Sequence, residues 1–193
     1  MNEILKNTHK LTFLGVMLAL TITFVAITAI PTASASMALF IFIPTIVTGI
    51  ILGPKAGALM GFFAGITTLL RALLAPLSPF DYFFINPLVS VLPRIFIGVV
   101  SAYVYMILNK ILKKFSQGEK LSILIAGASG AITNTALVMT MLYIINVKQI
   151  VELVGVPFKV LLISIITTSA VVEASVAAIL TLPVVMAYQK INK

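Results

Sequence analysis

Three side chains that could do chemistry lie inside long apolar runs of this sequence. They are Arg94, Asn134 and Glu173. An ionisable group buried in hydrocarbon is costly, so we expect it to face a cavity or a partner. The planar guanidinium of Arg94 suits an anionic group on a ligand, and Asn134 and Glu173 would offer hydrogen bonds deeper in the same pocket. The alternative is a purely structural bridge between Arg94 and Glu173.

Three further candidate ligand-binding residues lie near or within the segment 75–86. Arg71 is either a second cation at the mouth of the pocket or an interfacial arginine whose charge reaches towards water. Tyr82 lies in an aromatic run that suits an interfacial belt or a lid over an amphipathic ligand. That run consists of Phe80, Tyr82, Phe83 and Phe84. Asn86 ends the segment and completes the set.

Small residues spaced by four mark two of the apolar runs. Gly15 and Ala19 lie in the first run, and Gly57, Gly61 and Gly65 lie in the third. Residues four apart share a helix face, and glycine there lets another backbone approach closely. Two interpretations follow, namely packing between helices of this chain or a docking face for another membrane subunit.

Residues and motifs typical of enzymes are scarce. The 193 residues include no cysteine and one histidine, His9, which excludes thiolate chemistry and multi-histidine metal sites. No phosphate-binding P-loop, H-E-x-x-H or G-x-S-x-G motif occurs. We therefore predict no catalytic residue, no metal and no cofactor in this chain. A lipid-modifying enzyme with Glu173 as general base is a weaker hypothesis, and so is a structural subunit, which would not need Arg94 in hydrocarbon.

Composition indicates an integral membrane protein. Hydrophobic residues make up 61% of the chain and charged residues 9%, against roughly 25% in an average soluble domain. The net charge of +8 comes from lysines at the ends of apolar runs, where lipid headgroups rather than nucleic acid would meet them. We predict an all-α fold of six transmembrane helices in one domain, 1–193. The predicted spans are 11–30, 37–52, 56–74, 87–108, 121–145 and 158–188.

The distribution of basic residues predicts that both termini lie in the cytoplasm. With that orientation nine of the 13 basic residues are cytoplasmic. These nine are Lys6, Lys10, Lys55, Lys110, Lys113, Lys114, Lys120, Lys190 and Lys193. The other four are Arg71, Arg94, Lys148 and Lys159. Polar connectors are predicted at 109–120 and 146–157, and a small-residue loop at 31–36.

In combination these features resemble the substrate-binding S components of energy-coupling factor (ECF) vitamin transporters, small six-helix membrane proteins. The first-span pattern of Gly15 and Ala19 is similar to the one that family uses to dock its coupling subunit, although alanine is usual where Gly15 stands. Residues 50–61, IILGPKAGALMG, look like the family's turn between its second and third helices. Residues 70–94, including LRA, SPFD and NPLVSVLPR, resemble the pantothenate-specific S component most.

The resemblance implies a function for the whole chain. An S component captures a vitamin from outside a prokaryotic cell membrane and topples in the membrane to deliver it inward. Its partners are a membrane coupling subunit and two cytoplasmic ATPases, which use the ATP. Pantothenate, with one carboxylate, an amide and two hydroxyls, would match Arg94, Asn134 and Glu173. Folate, riboflavin and hydroxymethylpyrimidine are the alternative ligands.

Overall fold

The computed structural model describes residues 8–30 and 40–191, which form helices and short connections without a strand. The α-helices are α1 Thr8–Ile27, α2 Ile43–Leu52, α3 Pro54–Leu74, α4 Pro87–Ser90, α5 Leu92–Leu112, α6 Gly118–Val154, α7 Phe158–Ile165 and α8 Val171–Ile191. A 3₁₀ helix covers Pro79–Ile85, and a π-helical segment, Ile166–Ala170, joins α7 to α8. The all-helical prediction is therefore confirmed for the described residues.

Five helical stretches of the described residues are long and apolar enough to cross a membrane. They are Thr8–Ile27, Pro54–Leu74, Pro87–Leu112, Gly118–Val154 and Phe158–Ile191. The predicted second span corresponds to α2, whose 10 residues extend about 15 Å, half of a hydrocarbon core. The loop predicted at 31–36 and the start of that span lie outside the described residues. The six-span count and the cytoplasmic location of both termini stay predictions.

Both predicted polar connectors are shorter than expected. Helix α5 continues to Leu112, and α6 begins at Gly118 and runs without a break to Val154, through most of the predicted loop 146–157. Polar side chains do not end a helix when its backbone hydrogen bonds can continue. The helix ends at Gly155, whose φ of 73° lies in the left-handed region that glycine adopts without strain.

The last predicted span, 158–188, contains an irregular helical segment that does not coincide with its proline, Pro183. Pro183 lies within α8, and the helix continues through it. The irregularity is the π-helical segment instead. There the hydroxyls of Thr167 and Thr168 donate to backbone carbonyls one turn earlier, those of Ile163 and Ser164. Such side-chain bonds compete with the regular helical pattern and bend helices.

Glycines let α3 and α5 pack backbone to backbone. A side chain at Gly57 would collide with the backbone of Gly98, one at Gly61 with the carbonyl of Arg94, and one at Gly65 with Val91. This face of α3 is covered by α5 and is not available to another subunit. Of the two interpretations, packing between helices of this chain is the one that the structure supports for Gly57, Gly61 and Gly65, which bring α3 against the helix that carries Arg94.

Candidate functional site

Arg94 is held by a carbonyl that a proline leaves free. In an uninterrupted helix residue 93 would donate its N–H to the carbonyl of Val89, four residues earlier. Pro93 has no N–H, so the chain turns between α4 and α5 and the Val89 oxygen lacks its helical partner. The guanidinium of Arg94 fills that place, because its Nη1 donates to the Val89 oxygen at 3.0 Å.

The rest of the Arg94 guanidinium is buried but only partly satisfied. The residue is 6% exposed, and its Cζ lies 5.6 Å from the centroid of the Phe84 ring, at the distance of a cation–π contact. Its Nε is buried and has no hydrogen-bond partner among the described residues. A buried donor without a partner is costly, so Arg94 retains capacity for an acceptor.

A second group of polar side chains lies on α6 and on the neighbouring helix α8. Asn134 is 6% exposed, and its side-chain oxygen has no hydrogen-bond partner among the described residues. The next residue, Thr135, donates its hydroxyl to the Glu173 carboxylate on α8 at 3.1 Å. Thr135 therefore joins α6 to α8 through an acid that would otherwise lie alone in an apolar setting.

The packing of α5 on α6 brings the two groups to a similar depth. The helices are antiparallel, because Gly130 contacts Ser101 while Gly118 contacts Leu112. Continuing this register towards the start of α5 places Arg94 within about one helical turn of the level of Asn134. Arg94 and Glu173 attract each other electrostatically, yet they form no ion pair within residues 8–30 and 40–191. The structural bridge considered from the sequence is absent there.

Together these residues offer complementary binding chemistry. Arg94 supplies positive charge and a free N–H, Asn134 supplies an acceptor, and Glu173 supplies a carboxylate that accepts one hydrogen bond from Thr135. A carboxylate is the natural partner of a guanidinium, while hydroxyl or amide N–H groups suit the other two side chains. The arrangement suits a small ligand with one anionic end and several donors.

Arg71, in contrast, is already paired. Its Nη1 and Nη2 contact the two carboxylate oxygens of Asp81 at 2.7 and 3.1 Å. The same carboxylate accepts from the backbone N–H groups of Leu77 and Ser78 at 2.7 and 3.2 Å. This fork-to-fork pair ties the segment after α3 to the end of α3. A ligand-binding role for Arg71 stays a prediction, and it would require Arg71 to share its charge with Asp81.

The Arg71–Asp81 pair makes a testable contribution to stability. Burial raises the pKa of the Asp81 carboxyl, but the hydrogen bond from Arg71 and those from the backbone outweigh it and hold the pKa below its ordinary value of 3.8. Because the folded state lowers this pKa, the stabilisation is present above the unfolded value and is lost as pH falls through the folded one. We expect Asp81→Asn to lower stability at pH 7 by about 1–3 kcal/mol.

The measurement is thermal unfolding of the purified protein in detergent between pH 3 and pH 7. The difference between wild type and Asp81→Asn should shrink as pH falls below the ordinary carboxyl pKa of 3.8, because protonation of Asp81 then favours the unfolded chain. Glu152→Gln, which removes an exposed carboxylate on α6, should leave the unfolding temperature nearly unchanged. Equal unfolding temperatures for wild type and Asp81→Asn at pH 7 would contradict this account.

Tyr82 and Asn86 have different surroundings. Tyr82 is 61% exposed, whereas the neighbouring phenylalanines 80, 83 and 84 pack on an apolar cluster that contains Val89 and Leu142. The side-chain oxygen of Asn86 accepts the backbone N–H of Leu88 at 3.0 Å and caps α4. Asn86 therefore has a structural task in the turn that leads to Arg94. Ligand contacts by Tyr82 and Asn86 stay predictions.

Two neighbours of the site were missed as functional candidates. Phe84 was grouped with a belt or a lid, and its contact with Arg94 depends on how the 3₁₀ helix folds back. Thr135 follows a candidate residue directly, and adjacency to Asn134 was the available signal.

The opening between α6 and the α7–α8 segment is a groove of about 860 Å³. None of the six candidate ligand-binding residues lines it.

The small-residue pattern of α1 lies on an open face. Met17, Thr21 and Val25 are buried and face the bundle, while Gly15 and Ala19 are exposed. A side chain built at Gly15 would meet no described atom within 4 Å. Packing within the described part of this chain therefore does not explain the glycine at this position.

Comparison with known proteins agrees with this architecture. The family model described as "ECF transporter, substrate-specific component" matches residues 9–185. A curated relative, the pantothenic acid transporter PanT of Lactococcus lactis subsp. cremoris (strain MG1363), is 26% identical in a match that covers 77% of this chain and 76% of the relative. The described residues contain no group of three or more His, Cys, Asp or Glu side chains that could hold a metal ion.

Proposed function

The chain belongs to the substrate-specific component family of ECF transporters, and we propose that its ligand is pantothenate. The protein takes up the vitamin from outside the cell and delivers it with a membrane coupling subunit and two cytoplasmic ATPases that use ATP. Six transmembrane helices with both termini in the cytoplasm form the container. The chain itself performs no catalysis, since the family is a transport component.

The free Nε of the buried Arg94 carries this proposal. A guanidinium held in place by Val89 and Phe84 is preorganised for a carboxylate, so little order is lost when the ligand binds. Asn134 and Glu173 offer acceptor oxygens that suit the amide and hydroxyl groups of pantothenate. The name of the PanT relative favours the same ligand.

Charge favours pantothenate over the alternative vitamins. Pantothenate has one carboxylate, folate has two, and riboflavin and hydroxymethylpyrimidine have none. Arg71, whose Nε also has no hydrogen-bond partner among the described residues, has its charge balanced by Asp81, so among the predicted site residues Arg94 is the guanidinium whose charge is left for a ligand carboxylate. The guanidinium of Arg94 therefore matches the single carboxylate of pantothenate. A neutral ligand would leave the buried guanidinium without a direct anionic partner, because Glu173 attracts it but forms no ion pair with it in the part of the chain that the structure describes.

Equilibrium binding to the purified protein tests the ligand. We expect pantothenate to bind tightly and pantothenol, in which a hydroxymethyl group replaces the carboxylate, to bind at least about 100-fold more weakly. Folate, riboflavin and hydroxymethylpyrimidine serve as comparison ligands in the same titration. Equal affinity for pantothenate and pantothenol would overturn the carboxylate assignment, and tighter binding of a comparison ligand would overturn the choice of vitamin.

We also propose the exposed face of α1 around Gly15 and Ala19 as the surface that meets the coupling subunit. A glycine with open space beside it permits close approach of a second helix. In hydrocarbon such contacts depend on van der Waals fit, so small residues at the point of contact matter more than apolar area.

A further inference from the structure

The groove between α6 and the α7–α8 segment has a simple geometric origin. Thr135 contacts Glu173 at one end, and the Tyr143 and Phe158 rings meet at 5.3 Å at the other. Between these contacts α6 spans 8 residues, about 12 Å, and the opposite segment spans 15 residues, about 22 Å. A segment that much longer cannot run flush against α6. It leans away, and the π-helical turn lies in the part that diverges.

The walls of the groove are apolar and open on the outer surface of the bundle. Its α6 wall includes Ile132, Ala136 and Met139, and its opposite wall includes Leu162, Ile166 and Ala170. Ile132 and Ile166 are 55% and 49% exposed, which places the opening on the side that faces lipid. The volume of about 860 Å³ lies within the range of pockets that hold small molecules.

One positive charge lines the groove, at its outer end. Lys159 is the second residue of α7, directly after the turn that follows α6. It is exposed and has no ion-pair partner in the part of the chain that the structure describes. At the end of a predicted span, a lysine lies at the depth of lipid phosphates.

We propose that this groove binds one acyl chain of an anionic phospholipid, with its phosphate on Lys159. The lining residues of α6 run from Ile132 to Tyr143, a length of about 16 Å, close to one leaflet of a hydrocarbon core of about 30 Å. A polar vitamin is a poor occupant, because most of the lining is apolar and the hydroxyls of Thr140 and Ser175 already donate to carbonyls of their own helices. The inference does not depend on which vitamin the protein carries.

The selectivity must come from the headgroup. Lipid tails are as apolar as the groove, so transfer of a chain from the bilayer brings no hydrophobic gain. A lysine near the membrane surface favours an anionic over a zwitterionic lipid by about five-fold. The walls set the position of the chain, and Lys159 sets which lipid supplies it.

Lipid retention after purification tests the proposal. The full-length protein is reconstituted in bilayers of equal parts phosphatidylglycerol and phosphatidylcholine, extracted gently, and weighed with its bound lipids by native mass spectrometry. We expect one retained lipid, with phosphatidylglycerol enriched about five-fold over phosphatidylcholine. Lys159→Gln should abolish the enrichment, and Ala136→Phe should abolish retention because the ring fills the groove.

Matched variants separate the groove from the general surface. Lys148→Gln removes an exposed lysine that does not line the groove, and Ile144→Phe enlarges an exposed residue of α6 outside it. Both should retain lipid as the wild type does, and monodispersity on size exclusion checks folding. The proposal is overturned if the wild type retains no lipid, if Lys159→Gln keeps the enrichment, or if Ala136→Phe keeps the lipid. Displacement of the lipid by added pantothenate would overturn it too, by identifying the groove as the vitamin site.

Discussion

Arg94→Ala is expected to weaken pantothenate binding by at least about 100-fold. Removing one partner of a buried, hydrogen-bonded charge pair costs about 2–5 kcal/mol, because the other charge is left buried and unpaired. Here the other charge is the ligand carboxylate, which would enter a site that holds Glu173 and no compensating cation. The loss should therefore be larger for pantothenate than for pantothenol, whose hydroxymethyl group carries no charge.

Arg94→Lys separates charge from shape. Lysine keeps the positive charge but lacks the planar fork, so we expect binding between that of wild type and that of Arg94→Ala. Lys148→Ala, at an exposed position on α6, provides a basic-to-alanine control that should bind normally. Isothermal titration gives the affinities, and thermal unfolding shows whether the loss of the Val89 contact alone destabilises the protein. Unchanged affinity in a stable Arg94→Ala protein would remove Arg94 from the site.

The depth of a polar residue in an apolar run is the sequence signal on which the proposed site rests. Arg94, Asn134 and Glu173 stand out because ionisable and amide groups are expensive in hydrocarbon. The same reasoning could not supply their neighbours. The contact of Phe84 depends on the fold of a short 3₁₀ helix, and that of Thr135 depends on how α6 is rotated against α8. Such rotations are decided by tertiary packing and leave little trace in local sequence.

The ends of the helices also divide into those that the sequence predicts and those that it does not. The turn at Gly53–Pro54 was predicted from the resemblance of residues 50–61, and it also has a local signal, because glycine accepts the positive φ found there and proline suits the first turn of the next helix. The continuation of α6 to Val154 was not, since polar residues such as Lys148 and Glu152 look like a loop when membrane burial is the criterion. They instead extend a helix beyond the apolar segment, where water can solvate its side chains.

Gly15→Leu is expected to reduce pantothenate uptake more than ten-fold while leaving the binding constant within about two-fold of wild type. The substitution adds a bulky side chain to the open face of α1, where no described atom of this chain lies within 4 Å. Folding and ligand capture should therefore tolerate it. Close contact with the coupling subunit should be weakened, since overpacking at a helix contact costs about 1–3 kcal/mol.

Gly61→Leu is the contrasting substitution on the other small-residue stripe. There the new side chain would collide with the backbone at Arg94, so we expect poor folding and loss of binding together with loss of uptake. Uptake of labelled pantothenate is measured in proteoliposomes that contain the complete transporter, and binding is measured on the isolated subunit. We therefore expect the same four-residue spacing to serve contact with a partner on α1 and packing within the chain on α3. Normal uptake by Gly15→Leu would show that the open face of α1 contacts only lipid, and the coupling subunit would then have to grip another surface of the bundle.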